Sequence, residues 1–225
     1  HPHDTANTPH PVTDPAILLA YLLTAGAIVV SPGPDTTLIV RHTLTSGLPA
    51  GLGTVAGTTI GLAGHTLATV LGLSLIIAAS KTALAVIAIM GAAFLAWLGW
   101  QAFRAGVISF GDMTASTSAP KISAKRALRD GLLSNLFNPK VILLFLSLMP
   151  QFIQPEAEHG SVPGQLAIMG ALLIAMSLAW QVPLALAAES VRGWLARPGV
   201  QNAINWSTGA ILLGFAALML YDHVL

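Results

Sequence analysis

Six long apolar runs, set apart by short polar stretches, make up most of this chain. They cover residues 17–44, 51–79, 82–103, 132–152, 165–188 and 204–221. About 20 apolar residues suffice to cross a bilayer as a helix. Each run is therefore predicted to be a membrane-spanning helix rather than a helix buried in a water-soluble domain. Two of the runs are not continuous. Ser31-Pro32-Gly33-Pro34-Asp35 interrupts the first, and Asn138-Pro139-Lys140 interrupts the fourth. Proline lacks an N–H and its ring clashes with the preceding turn, while glycine adds backbone freedom. Both runs are predicted to be broken helices. Loose backbone at membrane depth is tolerated where it lines a cavity.

Composition strengthens the membrane reading. The 225 residues are 54% hydrophobic and 8% charged, with mean hydropathy +0.74, against roughly 25% charged residues in globular proteins. Such a surface is expected to face the lipid bilayer. Cysteine is absent, which excludes disulfides and thiolate metal or redox sites. A net charge of +1 carries no footprint for nucleic acid. No cofactor is expected. Residues 1–15 are polar, proline-rich and free of Lys and Arg, and they read as an exposed tail. Its His1, His3 and His10 lack a carboxylate or cysteine framework that would organise a metal.

Charge placement then orients the chain. Counted from the first connection, the odd-numbered loops hold Arg41, then Arg104, Lys121, Lys125, Arg126 and Arg129, then Arg192 and Arg197; the opposite side has Lys81. Positive residues stay cytoplasmic, so both termini are predicted outside. Residues 104–129, around Ser116-Thr117-Ser118-Ala119-Pro120, form a cytoplasmic linker between a first three-helix repeat (16–103) and a second (130–225). An odd number of spans per half turns the second upside down relative to the first. The expected fold is an all-α integral membrane protein of six transmembrane helices in two inverted repeats, each opening on a broken helix. Interrupted segments at corresponding positions of such halves point to a transporter's binding site.

The breaks also carry charge. Asp35 follows Pro34, and Lys140 follows Pro139. A charge at mid-membrane costs about 2.5–3.5 kcal/mol, so two separate lipid-facing charges would cost roughly 5–7 kcal/mol. They are expected to pair with each other, line water or approach an interface, and pairing across the pseudo-symmetry axis is the arrangement expected here. Gly53, Gly57 and Gly61 recur every four residues, and His65 continues that face. Small residues at this spacing let helices approach closely, so the face is predicted to meet protein. His65 there is either a hydrogen-bonded structural residue or a proton carrier. Asn135, Asn138 and Gln181 are further intramembrane polar groups; Gln181, near Pro183, is expected to satisfy a kink.

Taken together these residues resemble the lysine exporter family, in its homoserine/threonine-resistance branch of small amino-acid exporters. The first run contributes Ser31 through Asp35. The second contributes Gly57, Gly61, His65 and Gly72-Leu73. The third contributes Gly91-Ala92-Ala93-Phe94-Leu95 and Leu98-Gly99-Trp100. From the fourth come Gly131-Leu132-Leu133, Asn135-Leu136, Asn138-Pro139-Lys140 and Pro150-Gln151-Phe152. The resemblance runs from about residue 16 to 220. It implies a multi-pass protein of the cytoplasmic membrane, not an enzyme, that exports amino acids or close derivatives, driven by proton influx. A homodimer is among the states it implies. Asparagine also occurs in the family at the position of Asp35, which fits a substrate-binding or structural role there as well as proton carriage.

A mechanism follows as an expectation. The substrate-binding and coupling residues are Ser31, Pro32, Gly33, Pro34, Asp35, His65, Asn135, Asn138, Pro139 and Lys140. Free N–H groups where the helices resume suit a carboxylate, with Lys140 adding a cation. Asp35, or carbonyls freed by the prolines, can accept an ammonium. Asp35 or His65 can carry the coupling proton, while the halves rock around a midplane site in alternating access. Three other readings stay open. A metal-ion exporter would want clustered carboxylates, histidines or thiolates. A membrane enzyme would want a second membrane aspartate or a Gly-x-Ser-x-Gly nucleophile. A non-transporting scaffold would need no paired, charged breaks.

Overall fold

The computed structural model describes residues 14–31, 33–79, 121–154, 160–188 and 197–224, with part of 82–104 and residues 190 and 194. The tail 1–13, most of the linker, Pro32, Lys81 and Arg192 lie outside the described residues. Among the described residues every regular element is helical. They are α1 (Pro15–Val30), α2 (Pro34–Ser46), α3 (Leu48–Ala79), α4 (Ala124–Leu136), α5 (Pro139–Leu143), α6 (Val162–Leu186) and α7 (Pro198–Val224). A π turn (Leu144–Leu148) and a 3-10 turn (Met149–Phe152) extend α5.

The prolines that break the apolar runs turn out to start helices. Pro34 and Pro139 occupy the first turns of α2 and α5, where a missing N–H costs nothing and the fixed φ suits the helix. Asn138 caps α5, its Oδ1 accepting from the Lys140 N–H at 3.1 Å. Gly33 precedes α2 in an extended conformation. The α1–α2 and α4–α5 pairs are each bent by 47°. By length and composition, Leu48–Gly72 and Val162–Leu186 can each cross a membrane, and each bent pair qualifies when taken as one span.

One boundary departs from the sequence expectation. Helix α4 begins at Ala124, well inside the predicted linker, because Ser123 caps it by accepting from the Arg126 N–H at 3.3 Å. Its first turns are amphipathic rather than apolar: Lys125, Arg126 and Arg129 are exposed, while Ala127, Gly131 and Asn135 form a buried stripe. That stripe packs on the glycine face of α3. A Cβ on Gly53 would sit 2.5 Å from the Ala124 carbonyl oxygen. One on Gly57 would overlap the Leu128 carbonyl, and one on Gly131 the Thr54 carbonyl. The face predicted to meet protein thus meets another backbone directly.

The core lies between α1, α5 and α6. Tyr21, Phe145, Leu148, Met149, Leu166, Met169 and Leu173 are buried there together, and the Tyr21 hydroxyl donates to the Met169 carbonyl at 2.9 Å. Of the third apolar run, Gly99 packs against Leu213 and Gly209 of α7, and Phe103 meets Trp206 edge-on at 4.8 Å. These contacts fix the two breaks beside one another.

Candidate substrate site

The residue after each proline reaches across to the other broken helix. Asp35, in the first turn of α2, is buried against the end of α4 and the α5 cap. Its Oδ1 accepts from the Ser134 hydroxyl at 2.7 Å. Its Oδ2 accepts from Asn135 Nδ2 at 2.8 Å and from Asn138 Nδ2 at 3.3 Å. Lys140, in the first turn of α5, mirrors this toward the end of α1. Its ammonium donates to the Ser31 carbonyl at 2.8 Å and to the Ser31 hydroxyl at 2.6 Å. The Ser31 hydroxyl in turn donates to the Ile28 carbonyl at 2.8 Å. A cation at the carbonyl end of α1 is also favoured by that helix's dipole.

The direct Asp35–Lys140 ion pair expected from the sequence is therefore absent. The physical reason is the break itself. Each bend frees carbonyls at the end of one half-helix and leaves polar side chains unpaired there. Those groups satisfy the charge from the opposite break at shorter range. Charge-assisted hydrogen bonds to such groups are strong, and they hold each charge in place of a direct contact between the two.

Between the breaks lies a cavity of about 50 Å³ lined by Gly33, Asp35, Thr36, Asn135, Asn138 and Lys140 on the polar side. Ile28, Leu62, Leu144 and Leu173 form its apolar wall, and Ser177 and Gln181 of α6 complete it. At roughly 10–15 Å³ per water, this holds a few waters and must widen for anything larger. Gln181 does not serve the Pro183 kink: its Oε1 accepts from the Thr58 hydroxyl at 2.7 Å, tying α6 to α3.

The remaining predicted residues divide. Ser31 and Asn138 bond to the charges, Gly33 lies beside the Lys140 side chain and lines the cavity, and Pro34 and Pro139 start the helices. Pro32 lies outside the described residues. His65 does not line the cavity. Its Nε2 lies 3.4 Å from the Asn135 carbonyl, and its ring stacks on Phe145 with centroids 5.5 Å apart. Asn135 Oδ1 is buried against Gly61 with no donor in reach.

Sequence reasoning missed Ser134, Thr58 and His42. The hydroxyls carry no local signal beyond Ser134 adjoining Asn135. His42 sits near the end of α2, where a polar residue reads as interfacial. It is buried, with Nδ1 2.8 Å from the Thr54 hydroxyl.

Comparison with known proteins places the chain in a family. The pattern of the family described as LysE type translocator matches residues 27–223. The chain is 35% identical over 203 residues to the uncharacterized membrane protein YrhP of Bacillus subtilis (strain 168), covering 88% of this chain and 95% of that one. It is 29% identical to the homoserine/homoserine lactone efflux protein of Salmonella typhimurium, covering 89% and 94% of the two chains. With the leucine efflux protein of Klebsiella pneumoniae it shares 30% identity over 88% and 92%. No solved structure shows significant similarity to it. This membrane protein belongs to the LysE type translocator family.

Proposed function

We propose that this translocator exports a zwitterionic amino acid or a close derivative through the cavity between the two breaks. The observation that carries the reading is what remains unused on the two charges. A carboxylate offers about four acceptor positions and an ammonium three donors. Asp35 spends three of its positions on Ser134, Asn135 and Asn138. Lys140 spends two donors on Ser31. One acceptor and one donor are left, on the polar side of one cavity that both residues line. An amino acid presents the matching pair, an ammonium for Asp35 and a carboxylate for Lys140 and the N-terminal turn of α2. The apolar wall takes the side chain. Relatives named for homoserine and leucine efflux support the class of substrate.

The wider arrangement follows from the same reading. The chain spans the cytoplasmic membrane with both termini outside, as two inverted three-helix repeats joined by a cytoplasmic linker that ends where α4 begins. The repeats rock about the breaks in alternating access, driven by protons. Asp35 is the coupling group, being on the cavity; His65 holds the end of α4 in place.

The test is uptake of a labelled amino-acid panel into everted membrane vesicles, with and without an imposed proton gradient. Gradient-dependent uptake of a few amino acids, lost in Asp35→Ala and Lys140→Ala while insertion persists, is the expected result. No uptake of any amino acid by inserted wild-type protein overturns the reading.

A further inference from the structure

A second, larger chamber opens at the end of the molecule where the cations collect. It measures about 450 Å³ and lies between α2 and the start of α4, lined by Arg41, His42, Thr45, Arg126, Asp130 and Ser134 among others. We propose that this chamber is a loading site for the amino acid on the cytoplasmic side, with Arg41 capturing its carboxylate and His42 Nε2 accepting from its ammonium. The inference rests on the exporter reading and names the site through which that substrate arrives.

Three observations support it. The first is connection. Ser134 lines the chamber, and its hydroxyl donates to Asp35, which lines the inner cavity. One hydrogen bond thus joins a residue that lines the chamber to one that lines the inner cavity.

The second is an uncommitted cation. Arg126 is engaged by Asp130 at 3.9 Å within α4, while Arg41 has no ion-pair partner among the described residues. A planar guanidinium suits bidentate capture of a carboxylate.

The third is a half-used ring. His42 Nδ1 lies 2.8 Å from the Thr54 hydroxyl, which can place its own proton on the Ala50 carbonyl at 3.0 Å and receive the Nδ1 proton. In that tautomer Nε2 is an acceptor with no partner among the described residues. It is not sealed in the interior either, since among the described residues the buried unpartnered side-chain atoms are those of Asn135 and Trp180. A buried ring held by one nitrogen therefore offers the other to the chamber. The volume falls in the range of small-molecule sites, roughly 300–1,000 Å³, which the inner cavity in this conformation does not reach.

The test is the concentration dependence of initial uptake of L-homoserine and L-leucine by everted vesicles, whose accessible face is the cytoplasmic one. Arg41→Gln is expected to raise KM about 10- to 100-fold, the loss of one charge-assisted carboxylate contact, with the maximal rate within about twofold. Arg41→Lys recovers part of the loss. Leu38→Trp, which fills the chamber without removing a charge, raises KM in the same direction and decides the matter should Arg41→Gln fail to insert. Wild-type uptake with KM unchanged in the inserted variants overturns the loading site and leaves the exporter reading standing. No wild-type uptake of any amino acid overturns both.

Discussion

At the scale of single residues, the reciprocal reach of Asp35 and Lys140 reverses an intuitive expectation about exchanging them. Were they an ion pair, Asp35→Lys with Lys140→Asp would recover what either single change loses. Here each charge is matched to neutral groups of fixed polarity. An ammonium at 35 would face the amide NH2 groups of Asn135 and Asn138, which already donate to that position. A carboxylate at 140 would face the Ser31 carbonyl, which can only accept. The double variant is expected to insert and transport no better than the worse single variant, measured by membrane yield and vesicle uptake; clear recovery would restore the direct pair. Ser134→Ala removes one hydrogen bond to a charge, about 1.5–3 kcal/mol. It is expected to lower the thermal unfolding midpoint of the purified protein, and an unchanged midpoint would mean that Asp35 finds an equal partner elsewhere. Both breaks and both charges were legible in the sequence because proline chemistry is local. Their partners were not. Ser134, Asn135 and Asn138 lie 99 to 103 positions from Asp35, and nothing local says which side chains a bend will bring together.

At the scale of elements, the tightest junction is α3 against α4. Small residues on both helices interlock: Gly53 and Gly57 meet the α4 backbone at Ala124 and Leu128, Gly61 meets the Asn135 side chain, and Gly131 meets the α3 backbone at Thr54. In lipid no hydrophobic force drives helices together, so close packing of this kind carries the association. Gly57→Val would push α4 away along its length, because a side chain there meets the Leu128 carbonyl and the Leu132 N–H rather than a flexible chain end. The displacement would carry Ser134 and Asn135 off Asp35. Loss of folded protein, or folded protein without uptake, is the expected outcome in detergent solubility and vesicle assays. Uptake near the wild-type level would show that α4 is free to shift. The glycine spacing made one side of this junction readable in the sequence. The other side was hidden, because the first turns of α4 are too polar to register as part of an apolar run.

At the scale of the whole molecule, the two ends of the proposed route differ. The cationic end holds the open chamber, and the segment before α4 is tied to α2 by the Ile122 N–H donating to Ser46 at 3.0 Å. The far end is knit shut. Gln165, fully buried at the start of α6, accepts from the Gln154 N–H at 2.9 Å and donates to the Gln154 carbonyl at 2.7 Å. Gln154 also accepts from the Asp14 N–H at 3.0 Å, so α1, the end of α5 and α6 close together. The rocking mechanism proposed above needs closures that open in turn, and this closure is built from a few hydrogen bonds. Removing the Gln165 side chain forfeits the two bonds to Gln154 and a longer one to the Gly160 carbonyl at 3.5 Å; the first two alone, at about 0.5–1.5 kcal/mol each, shift a two-state balance by roughly five- to 150-fold. The chain contains no cysteine, so single thiols report accessibility cleanly. Ser177→Cys places one on the cavity wall, and Thr45→Cys places one in the chamber. With a membrane-impermeant thiol reagent, Cys at 45 is expected to react from the cytoplasmic face and Cys at 177 to react slowly from either. Adding Gln165→Ala is expected to speed labelling at 177 from the outer face and to slow it at 45, since opening one end closes the other. Faster labelling at 177 with no change at 45 would mean that the two ends open independently, and the rocking mechanism would have to be abandoned.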